Sequence, residues 1–259
     1  LIIAAESSRN DKGTLPLASG TGGRFFRVTT VEICVSDVPT ALVAEAAGAD
    51  RLELCADLGQ GGTTPSLGAV EIALRTLARA GLRVMVRPRG GDFRVSATEE
   101  QVMLADIAAV RALPNPHGLP LGVVVGALTD DGGLDLPVLR RLIEAAGPLP
   151  VTVHKAFDEV DDQLRALDEI IELGADAVLT SGAAPTAVEG AARIAALRER
   201  AGDRLRVIAA GGIRSHNVRQ VLAATGAREL HLRAPVLRDG REATDADEVR
   251  RVVDAVRAA

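Results

Sequence analysis

Three stretches of this chain decide its fold: AGADRLEL (47–54), LGADAVLT (173–180) and TGARELHL (225–232). Each carries the tail of a helical pattern, a Gly, a small residue and then a strand-like run. A Gly at that place stops the helix by taking a left-handed conformation and launches the strand through a short loop. The same joint used three times marks a serial βα design. Working outward from it, strand candidates fall at VEICV (31–35), RLELC (51–55), RVMVRP (83–88), GVVVGA (122–127), VTVHK (151–155), AVLTS (177–181), RVIAA (206–210) and ELHLR (229–233). Longer Ala/Leu/Arg/Glu stretches of helical period lie between them and after the last. Thr64-Pro65-Ser66 reads as a helix start before the second helix, and Thr98 before the third. The acidic run DADE (245–248) charges the first turn of a closing amphipathic helix that contains RRVVDAVR (250–257). Eight βα units in roughly 230 residues predict a single-domain (β/α)8 TIM-type barrel, whose usual size is about 250 residues. A doubly wound sheet is the competitor, but no GxGxxG follows the first strand.

The barrel is expected over residues 28–259, with residues 1–27 a flexible extension. Glu6, Arg9, Asp11 and Lys12 come early in that segment and the apolar run before them is short, which is the wrong order for a signal peptide. The chain of 259 residues has 30 Lys+Arg against 35 Asp+Glu, a formal charge of −5, so no strong field draws it to nucleic acid or to an anionic membrane. Trp and Tyr are absent and there are four Phe, which argues against binding single strands by stacking. No apolar run reaches the roughly 18 residues of a membrane span. Two cysteines exclude a disulfide-stapled secreted scaffold. A cytoplasmic protein is expected, and its Arg/Ala-rich helix faces permit a homodimer or higher homo-oligomer.

Strand parity carries the functional signal, because alternate side chains face opposite sides of a strand. Val31, Ile33 and Val35 oppose Glu32 and Cys34; Leu52 and Leu54 oppose Arg51, Glu53 and Cys55. The third strand sets Val84 and Val86 against Met85 and Arg87. The fifth sets Val151 and Val153 against Thr152 and His154, and the eighth sets Leu230 and Leu232 against Glu229, His231 and Arg233. Helices must cover the outside of the barrel, so the aliphatic sets point out and the polar sets point in. Glu32, Glu53, Arg87, His154 and His231 then converge in a low-dielectric interior, where charges survive only when paired or liganded. They form either a self-neutralising structural network or a functional site.

Loops at the C-terminal ends of the strands, where barrels place their sites, add GQGGTTPS (59–66), RPRGGDF (87–93), TSG (180–182) and AGGIRS (210–215). Arg87, Arg89, Gly90, Gly91, Gly211 and Gly212 are the anion-binding candidates, the arginines as clamps and the glycines as points of close backbone approach. Cys34 and Cys55 stand at matching places on consecutive strands and could face each other. Soft thiolates without a carboxylate cage favour Cu(I); the alternatives are two ordinary core cysteines or a disulfide.

VEICV, GADRLELC, GGTTPSLG, RPRGGDF, VTVHKAFD, LTSG and AGGIR, in this order and spacing, resemble the CutC family of copper homeostasis proteins over residues 30–235. The resemblance implies a (β/α)8 barrel in the cytosol, associated with copper tolerance and trafficking, with copper at Cys34 and Cys55. Two departures stand out. Lys155 replaces the family's usual Arg, and Leu232-Arg233-Ala234-Pro235 follows His231 where Ser and a small residue are common, so Arg233 should add positive charge at the pocket mouth. The expected role is copper buffering or delivery through Cu(I), with Glu32, Glu53, Arg87, His154, Asp158 and His231 lining the adjoining interior. The rival is a barrel enzyme acting on a small anionic or phosphorylated substrate, with Glu53 or His154 as general base. A third reading keeps the cysteines as core and makes the copper link indirect.

Overall fold

A computed structural model describes residues 29–238 and 240–259; the extension expected over residues 1–27 lies outside the described residues. Strands and helices alternate as β1 (Thr30–Val35), α1 (Val38–Ala46), β2 (Arg51–Leu54), α2 (Leu67–Thr76), β3 (Gly81–Met85), α3 (Ala97–Ala112), β4 (Leu121–Val125), α4 (Leu136–Ala146), β5 (Val151–Val153), α5 (Gln163–Glu172), β6 (Ala177–Thr180), α6 (Ala191–Ala201), β7 (Arg206–Ala210), α7 (Val218–Thr225) and β8 (Glu229–Leu232). A hairpin, β9 (Pro235–Arg238) and β10 (Arg241–Thr244), precedes the closing helix α8 (Ala246–Arg257). The eight parallel strands close into a barrel in sequence order. Each neighbour pairs in register, and β1 meets β8 with Glu32 opposite His231.

The repeated joint works as its sequence predicts. Gly48, Gly174 and Gly226 have φ of +109°, +83° and +61°, a region where a Cβ is penalised. In two of the copies the Asp after Gly-Ala does further work. Asp50 accepts the backbone N–H of Val31 at 2.8 Å, and Asp176 accepts that of Val151 at the same distance, so each ties its own strand to the start of a neighbour. Asp50 also binds Arg257 at 2.6 Å, and Arg257 donates to the Thr29 carbonyl at 2.6 Å, which pins the end of α8 beneath β1.

Helix starts follow their caps. Ser66 accepts from the Ala69 N–H and begins α2. The third helix starts after Ser96 rather than at Thr98, because Ser96 and Glu99 satisfy each other's backbone donors in a capping box and leave Thr98 inside the first turn. Asp245 caps α8, with Asp247 and Glu248 in its first turn.

Parity is realised. Val31, Ile33, Val35, Leu52, Leu54, Val84, Val86, Val151, Val153, Leu230 and Leu232 join one large core with the helix faces, including Leu74, Leu139, Leu167 and Val252. Cys34, Cys55, Met85 and Val124 form a separate apolar cluster, and Ala177, Leu179, Ile208 and Ala210 another. These two clusters carry the inward parity. They share the interior with the buried Glu32, Arg51, Glu53, Arg83, Arg87, Thr152, His154, Glu229 and His231.

Candidate functional site

One side of the barrel holds the thiols. β1 positions Cys34, and Cys55 follows directly on β2; their sulfurs lie 3.9 Å apart. The Cys55 thiol also reaches Glu53 Oε2 at 3.5 Å. His231, from β8, sets Nδ1 2.7 Å from Glu32 Oε1 and Nε2 3.8 Å from Glu53 Oε2. Arg51 bonds Glu32 on one side and Glu229, at 2.7 Å, on the other. Neighbouring strands in register make this chain of contacts unavoidable: Glu32 pairs with both Arg51 and His231, and Cys34 with Glu53.

The electrostatics sort these groups by protonation. The hydrogen bond from Cys55 pulls the Cys34 thiol down to about 5 against the cost of burial, with help from His231. The same bond and burial push Cys55 well above an ordinary thiol. Burial opposes the ionisation of Glu32, but Arg51 and His231 overcome it and hold its carboxyl at about 2. Glu53, buried and beside the Cys34 thiolate, is pushed up to about 8. Burial alone would deprotonate His231, yet the Cys34 thiolate and the Glu32 carboxylate hold it protonated, and Glu53 adds to this once it ionises. The pair therefore shares one proton, with the thiolate on Cys34 and the thiol on Cys55.

Among the described residues two groups bring ligand atoms within 4.8 Å of one another: Cys34, Glu53 and Cys55, and Glu32, Glu53 and His231. Two thiolates each about 2.3 Å from one ion span at most about 4.6 Å, so the sulfur separation suits a shared metal. The second group is already closed by its own Glu32–His231 bond and by Arg51. Soft donors are thus concentrated at the cysteines, and the hard donors neutralise one another behind them.

His154 stands apart from this network. Its ring lies against Gly126, where a Cβ would come 2.1 Å from its Cε1, and is 4.9 Å from the Phe93 ring. Arg87 places its guanidinium 4.6 Å from the same Phe93 ring. It donates to the carbonyls of Gln60, Gly62 and Gly91, which bolts the loop after β2 onto β3. Arg89 is engaged on the surface by Asp92 at 2.8 Å and Glu99 at 2.6 Å. Gly90 packs against Gln60, and Gly211 and Gly212 against Ser181 and Thr186. The Gly211 and Gly212 carbonyls are taken by Ala187 and Asn217. Gly91 has φ of +85°. Asp158 accepts from Thr180, Ser181, Ala183 and Gln163, with Lys155 at 3.4 Å, and so locks the loops after β5 and β6 together. The positive charge expected of Arg233 at the mouth is met by Glu242 on the hairpin.

The structure thus brings together Glu32, Glu53, His231, Cys34 and Cys55; Arg87 and His154 are not bonded into that group, although Arg87 holds the carbonyl of Gly62, which packs against the Cys55 sulfur. Asp158 and Arg89 belong to loop architecture. Phe93 and Gly126, which frame His154, were not among the sequence candidates. The Phe ends the RPRGGDF run, and the Gly carries the inward parity of β4, which are the signals that mark them.

The CutC family model matches residues 29–236. A CutC family protein of Parabacteroides distasonis is 46% identical over 204 residues, covering 79% of this chain and 82% of that protein. The human copper homeostasis protein cutC homolog is 40% identical over 233 residues, covering 90% and 82%. Among solved structures, a Streptococcus agalactiae protein described as a candidate copper homeostasis protein CutC superposes with a TM-score of 0.72 at 30% identity, covering 78% of this chain and 97% of that one. Phosphoribosylanthranilate isomerase of Thermotoga maritima shares the fold at 13% identity and a TM-score of 0.57, covering 89% and 100%.

Proposed function

The chain belongs to the CutC family of copper homeostasis proteins, and from that membership we propose that it binds one Cu(I) between Cys34 and Cys55. The role is buffering or delivery of copper in the cytoplasm. One observation carries the reading: two thiols 3.9 Å apart, the first held as a thiolate. Such a pair offers two soft donors, the preference of Cu(I), with a single carboxyl, Glu53, beside them. Binding of the ion displaces the Cys55 proton to solvent, because Glu53 and His231 beside the sulfurs are already protonated near pH 7.

The test is an anaerobic Cu(I) titration against a chromophoric chelator, on the wild type and on Cys34→Ser/Cys55→Ser. The absence of Trp and Tyr leaves the near-ultraviolet clear for thiolate–copper bands. Tight one-to-one binding that the double variant loses supports the reading. Binding that is weak, or indifferent to the serines, overturns it.

A further inference from the structure

A second set of buried groups, at the ends of β3 and β5, is short of partners. His154 is 3% exposed, and its Nδ1 accepts the Ala156 backbone N–H at 3.1 Å. On a neutral ring that contact puts the proton on Nε2, and burial followed by the nearby Arg87 charge holds the ring neutral. Nε2 is buried and has no hydrogen-bond partner. Arg87 is in the same position: its Nη atoms bond loop carbonyls, but its Nε is buried and unpartnered. No carboxylate of the described residues pairs with Arg87, whereas Arg89 and Lys155 at the same mouth have Asp92, Glu99 and Asp158. Two orphaned donors, one of them cationic, are expensive to bury and call for an acceptor.

Phe93 is the neighbour that the two groups share. Its ring contacts both the His154 ring and the Arg87 guanidinium, yet a ring face is a poor substitute for an oxygen in the plane of an N–H. Beneath it, Gly126 has no side chain, and Arg87, Phe93 and Gly126 border a cavity of about 10 Å³, near the minimum for a single water. The loop that carries Phe93 (residues 88–95) is bridged to Leu128, whose N–H donates to the Phe93 carbonyl at 2.9 Å, so displacement means rotation of the ring rather than movement of the backbone.

We propose that Arg87 and His154 form a binding site for an oxyanion, the carboxylate or phosphate group of a small molecule, which Phe93 covers until the ligand displaces it. The Arg87 charge selects an anion over a neutral carbonyl, and the Nε–H and Nε2–H groups supply two directed hydrogen bonds. The site shares no proposed metal ligand with the thiol pair, so it stands whether or not the cysteines take copper.

The experiment is a titration of histidine-labelled protein with inorganic phosphate and, separately, with acetate, following the four imidazoles by nitrogen NMR. His117 and His216 are exposed and serve as internal controls for ionic strength. The expected result is a saturable shift of His154 Nε2 with at least one probe, in the millimolar range, while the controls move little. Phosphate alone saturating assigns a phosphate ligand, and acetate saturating assigns a carboxylate. Phe93→Ala removes the cover and should tighten binding several-fold. Arg87→Lys keeps the charge, loses the Nε donor and should weaken binding about tenfold or more. Should Arg87→Lys fail to fold, Phe93→Ala still decides. No saturable His154 shift with either probe, in wild type and in Phe93→Ala, overturns the proposal.

Discussion

Cys34 is an acid because of what stands around it. It receives a hydrogen bond from the Cys55 thiol and faces His231, which Glu32 holds protonated. Thiolate, not thiol, reacts with alkylating agents and binds metal. The rate of Cys34 alkylation should therefore rise with pH through about 5 and level off there, rather than near the ordinary thiol value of 9. Cys55→Ala removes the largest cause and should move the midpoint up most; His231→Gln should move it up less. Peptide mass spectrometry of alkylated protein across pH reads both, and a wild-type midpoint close to 9 would remove the thiolate from the site.

At the scale of elements, the βα repeat was legible because period and parity are imposed by burial. Strands covered by helices outside must present aliphatics at every second position, and a polar residue in the other set is then conspicuous. That is how Glu32, Glu53, Arg87, His154 and His231 are expected to converge inside the barrel; the structure bonds Glu32 to His231 with Glu53 beside it, and leaves Arg87 and His154 outside that network. The β9–β10 hairpin was not legible in the same way. PVLR begins with a Pro and both arms carry charge, so no apolar alternation marks them, although Asp239-Gly240 between them is a turn signal. The partners of Arg89 and Asp158 were hidden for a related reason: they come from loops, whose contacts follow no period. The hairpin matters to the site, since Cys34, Leu58, Arg233, Glu242 and Thr244 border a narrow crevice that leads to the first thiol. The Arg233–Glu242 pair crosses that crevice and is half exposed, so it is worth about 1 kcal/mol or less. Glu242→Gln should speed modification of Cys34 by a neutral disulfide reagent by about fivefold at most. A rate unchanged by that substitution would mean that the thiol is reached by another route.

At the scale of the whole molecule, the buried charges around the thiols balance one another, and Arg87 stands outside that balance. Glu32, Glu229 and the Cys34 thiolate face Arg51, Arg83 and protonated His231, while Glu53 stays neutral near pH 7. Arg83 is only 4% exposed and lacks partners on Nε and Nη1, and burial, with Arg51 nearby, lowers it to about 10. Stability should follow from the two buried glutamates with opposite signs. Glu32 is depressed in the folded state, so its contribution is present above about 4.5 and is lost as pH falls through about 2. Glu53 is raised, so its contribution is full below about 4.5 and is lost as pH rises through about 8. Glu53→Gln should consequently gain on the order of 2–4 kcal/mol over the wild type when denatured at alkaline pH relative to the comparison at pH near 5. Equal differences at the two pH values would show that Glu53 ionises normally. The seam where β1 meets β8 is pinned from below by Arg257 on Asp50 and Thr29. A ribosome adds about 5–20 residues per second, so β1 waits about 10 s or more for its second neighbour. During that interval it is a bare sheet edge, open to annealing with another nascent copy. Clipping the chain before Arg257 should prolong that exposure, and the yield lost to aggregation during synthesis would then measure how much the final turn of α8 contributes to ring closure.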